Sequence, residues 1–196
     1  MNILLIILCV ILLGLYVIKM RNFKMSTKVL VTIAMCTAMS YILSCIPFIK
    51  YPQGGGIGLV TMLPIFIVSV LYGSLAGVTT GLLYGLLSLI GGSTLIHLAQ
   101  IMLDYILPAM AYGLAGVCGT DKKTKIFIGG IIAVILAAIS QTISGYVFFA
   151  EYAPEGMNPL IYSLGYNLSG KGVEGVIASV IVTILPIERF RKAANA

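Results

Sequence analysis

The stretch IFIGGIIAVILAAISQTISGYVFFA, residues 126–150, contains no acidic, basic or imidazole side chain. A helical crossing of a bilayer needs roughly 20 mainly apolar residues, so this run is long enough to span with some tilt. It is continuous rather than alternating, which separates it from the short two-faced strands of a membrane barrel. Lys122, Lys123 and Lys125 stand immediately before it, as cationic residues do at the cytoplasmic end of a crossing.

Outward from this run, the same pattern repeats. Apolar segments occupy approximately residues 2–18, 29–49, 58–72, 75–90, 98–117 and 173–187. The chain has 196 residues, of which 60% are hydrophobic and 9% charged; its mean hydropathy is +1.10. A water-soluble domain has too little interior to hide that much apolar surface, and lipid cannot satisfy the edges of an open sheet. The sequence therefore predicts an all-α, polytopic membrane protein. The unit from residue 25 to 196 holds six crossings, and residues 1–24 supply an extra N-terminal crossing with a basic linker. A secretory signal would carry its positive charge before the apolar region and a cleavage site after it. Residues 2–18 show neither pattern.

The net charge of +6 would suit nucleic acid, but its placement argues otherwise. Lys19, Arg21, Lys24 and Lys28 form one cluster, the three lysines near residue 123 a second, and Arg189, Arg191 and Lys192 a third. Each adjoins an apolar run. With all three assigned to the cytoplasm, the turn at 72–74 and the C-terminus lie inside, and the loops near Lys50, at 91–97 and at 151–168 lie outside. The cysteines, Cys9, Cys36, Cys45 and Cys118, form no CxxC or Cys/His cluster, so neither a disulfide framework nor a zinc site is indicated.

The outside loops hold unusual turn formers: Pro52-Gln53-Gly54-Gly55-Gly56, Gly91-Gly92-Ser93, and Tyr152-Ala153-Pro154-Glu155-Gly156-Met157-Asn158-Pro159. They read either as a binding surface or as interfacial loops with an aromatic belt. Asp104 lies inside an otherwise apolar crossing. A carboxylate there is expensive unless it meets a cavity, a partner or a cation, or reaches water near the interface. The functional reading is a counter-ion or hydrogen-bond anchor for a small solute. Tyr84 and Gln141 sit at comparable depth, while Phe149, Tyr162 and Asn167 flank the last outside loop. Aromatic walls with a few directed polar groups suit a flat heteroaromatic ligand, and a cationic one would gain cation–π attraction. His97 is expected to make an interfacial hydrogen bond. Glu174 is expected at the positive N-terminal end of the last helix. Gly170-Lys171-Gly172 lacks the frame of a nucleotide-binding loop, and no hydrolase motif appears. Such a chain is a binder or carrier, not an enzyme, and any pumping power comes from a gradient or from partner subunits.

Several motifs, taken in order, resemble the thiamine-specific substrate-binding (S) components of energy-coupling factor vitamin transporters. They are Pro52–Gly56 followed by Met62-Leu63-Pro64-Ile65, then Gln100 to Tyr105 leading to Gly113-Leu114-Ala115-Gly116. Above all there is the string from Tyr152 to Ser163, with Tyr166-Asn167. The resemblance covers roughly residue 25 to the C-terminus. It implies a six-helix bundle in a bacterial cell membrane that binds thiamine near the extracellular face and has no cofactor of its own. It also implies partnership with a transmembrane coupling subunit and two ATPases, which use ATP to drive uptake. Carried over, Asp104 takes the family's acidic position, followed by Tyr105; Tyr162 and Asn167 match its tyrosine and asparagine. Tyr84 and Phe149 stand where members often have tryptophan, and Gln141 where a histidine stands. Ala34 and Ala38 fit the AxxxA spacing that contacts the coupling subunit. This chain has no tryptophan, which leaves the pocket aromatic but smaller. A thiamine precursor or another small vitamin is the alternative ligand; a gradient-driven carrier or a structural membrane protein is the alternative class.

Overall fold

A computed structural model describes residues 2–51, 56–91 and 95–195; Pro52 to Gly55 and Gly92 to Thr94, which carry two of the turn motifs, lie outside the described residues. The helices are α1 (Asn2–Arg21), α2 (Thr27–Ser44), α3 (Leu63–Tyr72), α4 (Ser74–Ile90), α5 (Leu98–Ile101), α6 (Leu107–Tyr112), α7 (Lys123–Phe148), α8 (Pro159–Asn167), α9 (Val173–Ile184) and α10 (Ile187–Asn195). Two short strands, β1 (Pro47–Lys50) and β2 (Gly56–Gly58), pair antiparallel. One π turn, Met102–Ile106, joins α5 to α6, and another, Leu168–Gly172, joins α8 to α9.

The core around Met62, Ile65 and Phe66 is apolar, but much of the outer surface is apolar too. Ile7 and Leu15 on α1, Met35 and Ile42 on α2, Ile139 on α7 and Ile184 on α9 are exposed. Thr37, Ser40, Thr80, Gln100, Ser144, Ser179 and Glu174 are buried. Apolar side chains facing out and polar ones facing in are what a lipid solvent selects. Among the described residues, three helices, α1, α2 and α7, are each long and apolar enough to cross a membrane; α3, α4 and the Leu98–Tyr112 rod are shorter.

Four boundaries differ from the sequence reading. The run 29–49 is helical only to Ser44, because Ile46 and Pro47 turn the chain into β1. The run 58–72 begins as β2, and its helix starts at Leu63 with Pro64 in the first turn, where a missing N–H does no harm. The run 98–117 is helical only to Tyr112, after which Gly113 begins a series of turns. The last crossing starts much earlier than 173: the helical rod is continuous over residues 159–184. Asn158 caps it by accepting the Leu160 N–H at 2.9 Å, and Pro159 takes the first helical position.

Glycine sets the closest approach in the bundle. Gly77, Gly81 and Gly85 recur every fourth residue on α4; Gly81 and Gly85 face the Leu98–Tyr112 rod, and Gly77 faces Ser69 on α3 and the Gly113 carbonyl just past the rod. A Cβ on Gly81 would overlap the Ala109 carbonyl, and one on Gly85 would come within 2.8 Å of the Tyr105 carbonyl. Tyr84 is therefore held beside the helix that carries Asp104. Gly73, at φ +92°, makes the turn between α3 and α4.

Both ends of the bundle are tied. At one, Arg191 donates to the Thr120 hydroxyl at 2.8 Å and to the Val70 carbonyl, and Tyr72 lies with Met25 and Val29 against Ile33, Val68 and Ala76. The three basic clusters thus adjoin one end, as the charge pattern requires. At the other end, His97 stacks on Phe148 with centroids 5.3 Å apart. His97 Nδ1 also accepts the Ala99 N–H at 3.1 Å and so caps α5. Helix α1 lies against α4 and α5; its Tyr16 hydroxyl bonds the Thr79 hydroxyl at 2.9 Å, and its Cys9 is buried.

Candidate functional site

The π turn Met102–Ile106 presents Asp104. Turns of this kind interrupt α-helices frequently at functional positions, because one extra residue re-aims the side chains around it. Gln100, one turn earlier and fully buried, donates from Nε2 to Asp104 Oδ2 at 2.7 Å and accepts the Ile96 N–H at 3.3 Å. On the facing helix α7, Ser140 donates to the Leu103 carbonyl at 2.7 Å, and Gln141 Nε2 approaches the Asp104 carbonyl at 3.4 Å. These bonds lock α7 to the π turn and bring Asp104 and Gln141 together. The Gln141 Oε1 is buried with no hydrogen-bond partner among the described residues. An acceptor left in that state is costly unless a ligand donates to it.

Helix α8 closes the other side of α7. The Ser163 hydroxyl donates to the Thr142 carbonyl at 3.1 Å, and a Cβ on Gly145 would overlap that hydroxyl. Asn167 Nδ2 donates to the Ser163 carbonyl at 2.9 Å. Tyr162 tilts against Tyr166 at 6.0 Å. The sequence reading put Tyr162 and Asn167 beside a loop; they are instead on a helix braced against α7, a firmer platform. Phe149, at the end of α7, stacks on Tyr152 at 5.9 Å. Gly85, next to Tyr84, brings α4 up to the Tyr105 backbone carbonyl. The exposed Ala34 and Ala38 lie on the outer face of α2.

Gln100 and Tyr51 were not assigned a role from sequence. The four-residue spacing from Gln100 to Asp104 was the available signal, since such pairs meet on one helix face. Tyr51 gave none: its ring meets Tyr166 edge-on at 5.2 Å and its hydroxyl donates to Ser169 at 3.3 Å, across more than a hundred residues. A separate apolar groove between α7 and α9, lined by Ile131, Ile135, Val173 and Ile177, offers a vitamin no polar group and belongs to the lipid face.

Glu174 corrects its expectation. It lies well inside the continuous rod, not at a helix N-terminus, and it is fully buried. Its carboxylate accepts the Gly58 N–H at 3.0 Å, the Thr61 N–H at 2.5 Å, the Thr61 hydroxyl, and Lys171 Nζ at 2.8 Å. Between the two captured amides sits Val60 at φ +55°, a left-handed conformation costing roughly 1–2 kcal/mol for a residue with a Cβ.

The fold defines a class: a multi-pass helical membrane protein, here with a polar cluster of Gln100, Asp104 and Gln141 inside the bundle. Residues 30–194 match the family model described as Thiamine transporter protein (Thia_YuaJ). The thiamine transporter ThiT of Bacillus subtilis strain 168 is 34% identical over 171 residues, 80% of this chain and 88% of that protein. ThiT of Lacticaseibacillus paracasei is 29% identical over 140 residues, 63% of this chain and 70% of its own length. A solved structure of ThiT from Listeria monocytogenes superposes with a TM-score of 0.73 at 22% identity, covering 85% of this chain and 96% of that one; it shares the fold. The chain belongs to the thiamine transporter protein family, whose members are transport proteins and not enzymes.

Proposed function

We propose that this chain is the thiamine-binding S component of an energy-coupling factor transporter, working with a coupling subunit and two ATPases that hydrolyse ATP. The single observation that carries the reading is a carboxylate inside the bundle, Asp104, whose backbone carbonyl accepts from Gln141 Nε2 while the Gln141 Oε1 is buried and unpaired among the described residues. Together they suit a cationic ligand that also carries an amino donor, and thiamine has both. Tyr84, Tyr105, Phe149 and Tyr162 supply aromatic faces, and Asn167 orients by hydrogen bonds. The basic end of the bundle faces the cytoplasm, and the end with β1, β2 and the 150–158 loop faces outward. Residues 1–24 form a seventh crossing added to the 25–196 binding unit.

Isothermal titration of the purified protein with thiamine, and with its pyrimidine and thiazole halves, tests the ligand. Tight binding of thiamine is expected, with each half at least about 100-fold weaker, since each forfeits contacts worth several kcal/mol. Stronger binding of one half would assign a precursor instead. The pair Ala34→Leu with Ala38→Leu tests coupling. Both positions face outward on α2, and small residues four apart permit close helix approach. Thiamine titration should be unchanged in this variant, while uptake by cells that also carry the coupling subunit and ATPases should fall about tenfold or more. Normal uptake would place the coupling contact elsewhere.

A further inference from the structure

We propose that Glu174 is a positioning residue for the outer hairpin, and that its buried clamp sets how slowly the bound vitamin escapes. This rests on the thiamine reading above only for the escape rate; the clamp itself does not.

The hairpin cannot hold its place alone. It has two short strands, and all four residues of β1 are exposed; isolated hairpins of that size are marginal. What seats it are contacts with the rod that carries Tyr162 and Asn167. Tyr51, directly after β1, packs on Tyr166 and bonds Ser169. Gly170 has no side chain to hold the strand away: a Cβ there would meet the Gly56 carbonyl at 3.2 Å and the Tyr51 ring at 3.4 Å. Below these contacts, Glu174 gathers the N–H of Gly58, the N–H and hydroxyl of Thr61, and the Lys171 ammonium. Lys171 also reaches the Thr61 hydroxyl at 3.3 Å. All of these donors converge on one carboxylate that is shielded from water, and the strained Val60 lies between the two amides it holds. A strained backbone persists only where its surroundings over-determine it. Removing the clamp therefore frees the hairpin base first.

The test is Glu174→Gln, which keeps the shape but removes the charge and turns one acceptor into a donor facing other donors. Amide hydrogen exchange without vitamin should speed up about tenfold or more over residues 47–51 and 56–61, with α4 and α7 unchanged. Thiamine dissociation should quicken about tenfold, with association little altered, the size expected for losing a charge-assisted bond. Should this variant fail to fold, Thr61→Val, which deletes the hydroxyl that donates to Glu174 and accepts from Lys171 but keeps the Thr61 N–H bond, carries the same two readouts at about threefold. Unchanged hairpin exchange, an even rise across all helices, or faster hairpin exchange with unaltered dissociation would each overturn the proposal. A wild-type chain that does not bind thiamine would defeat the proposed function instead, and the vitamin-free exchange would still decide the clamp.

Discussion

Asp104→Ala is expected to weaken thiamine binding by about 100-fold or more, read by titration of the purified protein. Two effects combine. The ligand's positive charge loses its counter-ion at a partly buried site; truncating one partner of a fully buried charged pair costs roughly 2–5 kcal/mol, and the lower part of that range applies. The fully buried Gln100 Nε2 also loses the acceptor it holds at 2.7 Å, a hydrogen bond to a charged group. Asp104→Asn separates the two, because an amide oxygen can still accept from Gln100 while the charge is gone. A loss nearly as large in the asparagine variant assigns the effect to charge. Wild-type affinity there would remove Asp104 from the role of counter-ion.

Gly81→Val is expected to cost about 3 kcal/mol of stability, as severe overpacking does, and to weaken thiamine binding as well. The new Cβ overlaps the Ala109 backbone carbonyl, which no rotamer change can move aside. Helix α4 must then retreat from the Leu98–Tyr112 rod, parting Tyr84 from the helix of Asp104 and Tyr105. Thermal unfolding in detergent, with thiamine titration of the fraction that remains folded, reads both effects. Leu83→Val, two residues away on an exposed part of α4, serves as the control and should shift neither by much. Equal behaviour of the two variants would mean that the glycine seam does not hold the site together.

The membrane class was legible because it depends on sums: continuous apolar runs and clustered cations survive errors of several residues at any boundary. Asp104 was legible for a related reason, since one carboxylate inside a crossing stands out against its background. What escaped depended on contacts between distant segments. No local pattern joins Glu174 to Gly58 and Thr61, so helix-dipole logic was the only available reading, and it failed once the rod proved continuous upstream. The hairpin was hidden for another reason. Phe48 and Ile49 are as apolar as the helix before them, and hydropathy does not distinguish a strand from a helix end. The start at Pro159 could have been read, because Asn-Pro is a strong capping pair; its place among Tyr, Gly and Pro residues made it look like one more turn.

The π turn at Leu168–Gly172 gives the last rod two independent phases. Upstream of it, Ser163 takes its angular position from the middle of α7, and Asn167 bonds back to Ser163. Downstream, Glu174 takes its position from the turn before α3, and Gly175 from Val134 on α7. A straight α-helix advancing about 100° per residue would couple these halves rigidly, so that any change suiting one would rotate the other out of register. The extra residue in the π turn absorbs that mismatch. The half packed on the middle of α7 and the half that holds the turn before α3 can therefore diverge in sequence along a single helix, each re-optimised without twisting its neighbour.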